Sequence, residues 1–310
     1  MAVDQMYRIR QELKKNLPKD HHYVIGVSGG SDSVALAYAM SDEGYDFTAV
    51  VVDHQLQEDS ADFSEYARVL MSNRSIPCVV TQVNVEVINT GMEDAARTAR
   101  YNALFSYGEH IVTGHTKSDQ AETVLIGLQQ GSGSSALTGM RIVSPSARGT
   151  IYRPMLENIT KQQTQQACKE QGVQYWDDPQ NESDDYTRVR VRNTVIPTMS
   201  TALHVDVVDK LSKTAFMIQQ ERDFIEKFAL QAYDRCVENN VIDIETLLQE
   251  DELIVSRVIA RFIKEHAGCI KKAWVDNVVQ LVFDYSGNKT IQVKNGELKF
   301  KNKKIVWEND

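Results

Sequence analysis

The chain has 310 residues, of which 42% are hydrophobic and 25% are charged, and its formal net charge at pH 7 is −9. This length and apolar fraction predict more than one domain, each with a real core. The sequence has no apolar run long enough to span a bilayer and no signal-peptide pattern at its start, which predicts a cytoplasmic protein. The acidic balance disfavours general nucleic-acid binding and leaves that question to local basic segments.

The four cysteines are scattered and form no C-x-x-C pair: Cys78, Cys168, Cys236 and Cys269. This spacing is typical of reduced, mostly buried thiols. It argues against a disulfide framework and against a zinc or iron–sulfur site.

Strands and helices are predicted to alternate over the first 130 residues. After a helix at 4–16, strands are expected at 23–27, 47–52, 78–83 and 110–113. Helices follow them, one ending near 42 and the others at 58–74, 93–107 and 117–129. The alternation predicts an α/β fold, a Rossmann-like doubly wound parallel sheet covered on both faces. In such sheets, ligands bind outside the carboxyl ends of the strands.

One stretch joins the first strand directly to a helix, through Ser28-Gly29-Gly30-Ser31-Asp32-Ser33. A strand that breaks on two glycines and opens into a helix presents free amides and a positive dipole end to one point. This geometry, with the serine hydroxyls, predicts a phosphate site. Because Asp32 would repel a bare phosphate, we also expect Mg²⁺ between them.

Three other interpretations of this stretch are weaker. A Walker A loop requires a lysine after the glycines, and a dinucleotide fingerprint requires G-x-G-x-x-G; neither is present. The G-x-S-x-G elbow of serine hydrolases does match residues 26–30, but that fold places several strands before its nucleophile. A plain glycine turn also remains open.

A second polar cluster begins at the fourth predicted strand. His115 stands at the strand end, and Asp119 and Glu122 share one face of the following helix. The helix dipole alone favours acidic residues there, and a lone histidine is often structural. Because two strand-end clusters converge on one crevice, we predict that His115 and Asp119 belong to the site, together with Asp53 after the second strand.

Two further segments have both a functional and a structural interpretation. Arg97 and Arg100 either supply the positive charge that the glycine loop lacks or belong to a solvated helix face. Residues 130–135 are either an anion-contacting loop or an ordinary helix cap.

The rest of the chain, from residue 151 on, is predicted to be mostly helical. A helix begins near Thr160, a good N-cap residue. Arg188, Arg190 and Arg192 alternate and would share one face if extended, beside aromatic residues, as in a single-stranded nucleic-acid platform or a solvated surface. Helices at 204–239, 242–267 and 273–283 precede a lysine-rich hairpin about an Asn-Gly turn. Its lysines fit RNA contact and aggregation control equally well.

Taken together, these stretches resemble the tRNA(Ile)-lysidine synthase family of PP-loop ATP pyrophosphatases, over about residues 22–200. The motifs are Ser28-Gly-Gly-Ser-Asp-Ser33, Val52-Asp-His54, Glu93 with Arg97 and Arg100-Tyr101, Gly114-His-Thr116, Asp119-Gln-Ala-Glu-Thr-Val-Leu125, Gly131-Ser-Gly133, Arg153-Pro154, Trp176-Asp-Asp-Pro179 and Tyr186-Thr-Arg-Val-Arg-Val-Arg192.

The resemblance implies an adenine nucleotide alpha hydrolase-like catalytic domain at 1–200 and a C-terminal helical domain with a terminal hairpin at 201–310, in contact with tRNA. It implies a ligase that uses ATP and Mg²⁺ to join L-lysine to the wobble cytidine of tRNA(Ile). A homodimer is compatible with the sequence and is not decided by it.

The resemblance also suggests roles for single residues. We expect residues 28–33 to hold pyrophosphate, Asp32 to bind Mg²⁺ and Asp53 to lie near the nucleotide. Asp119 is assigned to metal or lysine, Arg97 to developing charge and His115 to catalysis. The basic residues assigned to tRNA are Arg188, Arg190 and Arg192.

The chain departs from the family pattern at two positions, Ser118, where an aspartate is usual, and Gln130, where an arginine is frequent. One change removes a negative charge and the other a positive charge, so we hypothesise that they compensate. The alternatives are a tRNA 2-thiolation enzyme, a branch that normally relies on cysteines or a cluster, and a catalytically silent tRNA-binding paralogue.

Overall fold

The computed structural model describes residues 4–55, 60–85, 91–131, 133–176, 186–285 and 287–309. Ser132 and the Asp177-Asp178-Pro179 part of one motif lie outside these residues. The chain divides into two compact units, Met1–Phe216 and Met217–Asp310. The predicted boundary at residues 200/201 falls before this division. No helix in the described ranges is long and apolar enough to cross a membrane.

The first unit alternates strands and helices as predicted. Its strands are β1 (Tyr23–Gly26), β2 (Phe47–Asp53), β3 (Cys78–Gln82), β4 (His110–Val112), β5 (Val143–Ser146) and β6 (Gly149–Tyr152). Its helices are α1 (Gln5–Asn16), α2 (Ser31–Asp42), α3 (Ser60–Ser72), α4 (Met92–Phe105), α5 (Lys117–Gln129), α6 (Ser134–Leu137), α7 (Lys161–Glu170), α8 (Thr187–Arg190) and α9 (Ile196–Leu203). A π-helical segment, Val191–Val195, joins α8 to α9.

The strands form one sheet in the order β3-β2-β1-β4-β6-β5. All neighbouring pairs are parallel except β5 and β6, which form an antiparallel hairpin at the edge. This confirms the doubly wound sheet, and the edge hairpin is an addition that the sequence did not predict. The chain builds outward from β1 through β2 to β3 and then returns to place β4 on the other side of β1. The gap between β1 and β4 is therefore the switch point, where such sheets bind ligands.

Both faces of the central strands β1, β2 and β4 are covered, which explains why these strands are almost wholly apolar. On one face, Ile25 and its neighbours pack with apolar residues of α1, α2, α3 and α7. On the other face, Val24, Val50 and Ile111 pack against Leu104 of α4. The helices therefore fix β1 from both sides, and the loop that follows β1 starts from a rigid point.

A long helix, α10 (Val207–Cys236), contains the division between the two units. The second unit adds α11 (Ile244–Leu247), α12 (Glu252–Ala267) and α13 (Lys272–Phe283). Its strands are β7 (Val237–Glu238), β8 (Val241–Asp243), β9 (Lys289–Val293), β10 (Gly296–Lys301) and β11 (Lys304–Asn309).

The predicted terminal hairpin is confirmed: β9 and β10 pair antiparallel about Asn295, whose φ is 66°. The hairpin belongs to a five-stranded antiparallel sheet, β7-β8-β11-β10-β9, because β10 pairs further with β11. The core face of this sheet carries Phe300 and Trp307, which pack with Phe262 of α12.

Candidate active site

The loop after β1 is shaped to accept an anion. Gly29 has a φ of +80°, a conformation that L side chains rarely adopt. The amide of Ser28 donates to Ser33 Oγ (3.1 Å), and that hydroxyl donates to the carbonyl of Gly30 (3.0 Å). Gly30 is the N-cap of α2 and makes no side-chain cap hydrogen bond. The first amides of α2 therefore stay open to a phosphate.

The end of β4 lies directly against this helix start. A Cβ on Gly114 would lie 3.0 Å from the carbonyl carbon and oxygen of Asp32, which is tighter than nine in ten such contacts in proteins. The glycine thus eases a close approach of two backbone segments rather than an unusual φ. It brings the predicted second cluster, which begins at His115, next to the phosphate loop.

The surroundings of Asp32 disfavour the charged form of its carboxylate. Burial and the negative charge of Asp119 raise the pKa of Asp32 to about 6, and a hydrogen bond from the Thr164 hydroxyl opposes the rise. A cation bound between the two carboxylates would relieve this repulsion.

The carboxylate oxygens of Asp32 and Asp119 fit the predicted Mg²⁺. In the described ranges, no group of three or more His, Cys, Asp or Glu side chains could hold a metal ion. Mg²⁺ typically takes one or two carboxylates and completes its shell with water and substrate phosphates. Asp32 and Asp119, which both line the cavity, match that donor set.

The phosphate loop opens into a cavity of about 530 Å³. Five basic residues line it: Arg97, Arg100, Lys161, Arg188 and Arg192. Arg97 and Arg100 come from α4, where their guanidinium carbons lie 5.2 and 5.8 Å from the ring centre of Tyr101. Lys161, the first residue of α7, was not singled out from the sequence, because nothing local shows that α7 starts beside α2.

His115 lines the same cavity as a half-buried side chain. Its Nδ1 lies 2.7 Å from Thr113 Oγ1. Burial lowers the pKa of His115, the positive charges of Arg153, Arg97 and Arg100 lower it further, and Asp119 opposes them. The imidazole is therefore neutral near pH 7.

Asp119 closes a capping box at the start of α5. Its Oδ2 accepts hydrogen bonds from the amide and the hydroxyl of Thr116, both at 2.8 Å, and the Thr116 hydroxyl accepts from the Asp119 amide. Burial disfavours its charge, but the pKa of Asp119 is lowered by the charge of His115 when that imidazole is protonated, by the charge of Arg188 and by the Thr116 hydrogen bonds. The structural interpretation of Asp119 is thus confirmed, while its place in the cavity wall leaves room for a functional one.

Glu122, one turn further along α5, is 1% exposed and holds two arginines. Arg188 Nε lies 2.8 Å from Glu122 Oε2, and Arg192 Nε lies 2.6 Å from Glu122 Oε1. Both guanidinium groups also approach Asp119 Oδ1, at 3.4 and 3.6 Å. Glu122 is the buried centre of this network of two acids and two arginines, and the other three members line the cavity.

The expectation that Arg188, Arg190 and Arg192 share one face of an extended segment is wrong. They lie in α8 and the π-helical segment, so Arg188 and Arg192, four residues apart, point together at Glu122. Arg190 is exposed and donates to Thr187 Oγ1 at 3.0 Å. The four-residue spacing of Arg188 and Arg192 could have predicted a helix whose two arginines pair with the acids Asp119 and Glu122 of α5.

Asp53 is buried at the end of β2, where its carboxylate accepts two hydrogen bonds. Its Oδ1 accepts from the amide of Gln55 (2.9 Å), and its Oδ2 accepts from Gln82 Nε2 (3.4 Å). His54, rather than Asp53, contributes to the cavity wall. Burial lowers the pKa of His54, and Arg100 lowers it further, so a second neutral imidazole borders the site.

The comparisons with known proteins agree with this geometry. The family described as the PP-loop domain matches residues 1–199. The chain is 36% identical over 230 residues to a tRNA(Ile)-lysidine synthase from Cutibacterium acnes, which covers 71% of this chain and 72% of that protein. It is 35% identical over 262 residues to a tRNA(Ile)-lysidine synthase from Rhodococcus jostii, covering 83% and 78%.

The chain belongs to the tRNA(Ile)-lysidine synthase family. The resemblance drawn from the motifs is therefore confirmed. A solved U34-tRNA thiolase from Methanococcus maripaludis is similar in fold, with a TM-score of 0.57, 14% identity and coverage of 69% of this chain and 79% of that one. At that identity, the similarity supports the sheet topology alone.

Proposed function

We propose that this chain is an ATP-dependent ligase that forms a carbon–nitrogen bond, joining L-lysine to cytidine 34 in the CAU anticodon of tRNA(Ile). In the first step, the C2 oxygen of the cytidine attacks the α-phosphate of ATP and pyrophosphate leaves. In the second step, the ε-amine of lysine attacks C2, AMP leaves with the oxygen, and the amine loses a proton. Adenylation is needed because the C2 oxygen alone is a poor leaving group.

The observation that carries this proposal is the uncapped start of α2 at the switch point of the sheet, inside the PP-loop family match. A helix start with free amides stabilises the charge that develops on departing pyrophosphate. We assign pyrophosphate binding to residues 28–33 and added positive charge to Arg97 and Lys161. Asp32 and Asp119 would hold Mg²⁺, which neutralises phosphate charge when it is bound.

For the second step, the attacking amine must be neutral. We assign Asp119 either to the metal or to the lysine ammonium before it loses its proton. His115, held neutral, can accept a hydrogen bond or a proton without adding positive charge to the cavity. Arg190 is the exposed member of the three arginines and the best placed of them for a tRNA phosphate, whereas Arg188 and Arg192 hold Glu122.

The test is an assay of the purified chain with ATP, lysine and a tRNA(Ile) transcript that carries a CAU anticodon. We expect multiple-turnover pyrophosphate and AMP release only when tRNA and lysine are both present, with lysidine found in the recovered tRNA by mass spectrometry. Turnover that ignores lysine but requires a sulfur donor would indicate thiolation. Binding of tRNA without pyrophosphate release would indicate a silent paralogue.

A further inference from the structure

Thr164, a residue of α7 in none of the sequence motifs, contacts the phosphate loop. It is fully buried, and its Oγ1 hydrogen-bonds Asp32 Oδ1. The same oxygen lies 2.7 Å from the carbonyl of Lys161 and 3.5 Å from Ser31 Oγ. A residue 132 positions away in sequence thus reaches the one acidic side chain of the loop.

The Thr164 hydroxyl has one proton and two close acceptors, Asp32 Oδ1 and the Lys161 carbonyl, whereas Ser31 Oγ is farther away at 3.5 Å. A threonine within a helix ordinarily donates to a carbonyl one turn back, which here is that of Lys161. An ionised carboxylate is the stronger acceptor, because hydrogen bonds to charged groups are about twice as strong as neutral ones. When Asp32 is charged, its oxygen therefore takes the proton.

Only one oxygen of Asp32 is used in this way. Among the described residues, hydrogen bonds to this carboxylate, from Thr164 and Ser31, end on Oδ1 and leave Oδ2 without one. Asp32 also lines the cavity. A clamp on Oδ1 fixes the rotation of the carboxylate and leaves Oδ2 to a ligand.

The helix that carries Thr164 is held at the same place by contacts outside Asp32. The amide of Lys161 donates to Ser118 Oγ (3.2 Å), and Cys168 Sγ lies 3.5 Å from the carbonyl of Ser31. Ala167 and Cys168 are buried in the core beneath α2. The hydroxyl is therefore presented by a rigid element, as a residue that orients a ligand requires.

We propose that Thr164 is a positioning residue of the nucleotide site, which holds Asp32 in the rotation that binds the cation of MgATP. This role rests on the proposed function, since it requires an ATP site at the start of α2. On this proposal, α7 contributes to binding the metal and phosphates of MgATP, in addition to the loop itself.

The experiment measures ATP binding without tRNA, by calorimetry, once with Mg²⁺ and once with EDTA. Thr164→Val keeps the size of the side chain and removes the hydroxyl. We expect its affinity for MgATP to fall about tenfold or more and its affinity for Mg-free ATP to stay unchanged. Thr164→Ser, which restores the hydroxyl, should bind MgATP like the wild type.

The matched control is Thr214→Val, because Thr214 donates to the Lys210 carbonyl in the same way (2.9 Å), and no hydrogen bond joins it to a carboxylate within the part of the chain that the structure describes. It should leave both affinities unchanged. If Thr164→Val does not fold, Thr164→Cys replaces it, since a thiol is only a weak donor.

Three results would overturn the role of Thr164: wild-type MgATP affinity in the valine variant, an equal loss with and without Mg²⁺, or an equal loss in the serine variant. These are separable from failure of the proposed function. A wild-type chain that binds no ATP refutes the site altogether. A chain that shows the predicted pattern but makes no lysidine refutes the reaction and supports the role of Thr164.

Discussion

The starts of α2 and α5 differ in how they use the free amides at a helix N-terminus. Both helices begin directly after neighbouring parallel strands, β1 and β4, at one edge of one sheet. At α2 the N-cap is Gly30, which has no side chain to occupy the amides. At α5 the N-cap is Thr116, which forms a complete capping box with Asp119. One helix start is left open for an anion, and the other is closed by its own residues.

Each start carries one aspartate, and the two are shifted in opposite directions. Burial and the neighbouring charge raise the pKa of Asp32. The pKa of Asp119 is lowered against the effect of burial by His115 in its protonated form, by Arg188 and by the Thr116 hydrogen bonds. The aspartate at the start of α2 lowers local stability and leaves a ligand site open. The aspartate at the start of α5 stabilises the end of its own helix.

The largest effect is expected from closing α2 with the substitution Gly30→Asp. The φ of Gly30 is −74°, and an added Cβ would lie 3.6 Å from Ser28 Oγ and 3.8 Å from the carbonyl oxygen of Trp176, so the backbone accepts a Cβ in ordinary van der Waals contact. An aspartate there would accept hydrogen bonds from the open amides and repel phosphate. We expect ATP affinity to fall about 100-fold or more while the chain remains folded.

Calorimetry with ATP and a thermal melt measure these two effects. Gly30→Ala is the matched control, because it adds the Cβ without an acceptor and should bind ATP far better than the aspartate variant. Equal affinities of the two variants would show that the amides of α2 do not hold the phosphates.

The next largest effect should come from the acid one turn inside α5. Glu122→Gln leaves Arg188 and Arg192 without their buried partner charge, and breaking such a pair costs about 3 kcal/mol. Chemical denaturation should show this loss. The control, Glu65→Gln, removes the exposed partner of Arg68 and should leave the free energy of unfolding unchanged. A loss no larger than that of the control would contradict the network.

The opposite pKa shifts predict opposite effects of two equivalent substitutions. The folded-state pKa of Asp32 is about 6, above its unfolded value, so its contribution to stability is present at low pH and lost as pH rises through 6. Asp32→Asn should therefore stabilise the chain by about 3 kcal/mol at pH 7.5 and by about 1 kcal/mol at pH 4.5, which is still above the unfolded pKa.

Asp119 has a lowered pKa, so its contribution is present above the unfolded value and lost as pH falls through the folded one. Asp119→Asn should cost about 1 kcal/mol at pH 7.5, as for the loss of a cap. It should also abolish lysidine formation while tRNA affinity stays near normal. Urea denaturation at the two pH values and a tRNA-binding assay provide the measurements. Shifts of the same sign in both variants would remove the contrast between the helix starts.

The same contrast shows which features could be predicted from the sequence. The bounds of α5 were predicted residue for residue, and those of the early strands within one or two, because apolar runs and helical periodicity are local signals. The phosphate loop was found because its glycines and helix start are contiguous. The roles proposed for Lys161 and Thr164 were not found, since they depend on how α7 packs beside α2, and Thr164 contacts a residue 132 positions earlier in the chain.

The arginines show the limit of a pattern that fits two periodicities. Alternation at 188, 190 and 192 suits a strand, and four-residue spacing of the outer two suits a helix. The segment is helical because this places both outer arginines at Glu122, whose buried charge requires partners. The second unit shows the same limit: its lysine-rich hairpin was predicted, but the pairing of Lys299 with Glu297 and Glu308 required the fold.

The smallest effect concerns the hypothesis that Ser118 and Gln130 compensate each other. They lie near opposite ends of α5, twelve residues apart, which at 1.5 Å per residue is about 18 Å. This exceeds the Debye length of about 8 Å at physiological salt, and each has its own surroundings, Ser118 at the amide of Lys161 and Gln130 at the C-cap of α5. We therefore expect no coupling.

Ser118→Asp places a carboxylate at the start of α7, and Gln130→Arg places a cation at the end of α5. A helix dipole favours each of these charges by about 0.3–1 kcal/mol. The free energies of unfolding of both single variants and the double variant should add, and a deviation above about 0.5 kcal/mol would restore compensation.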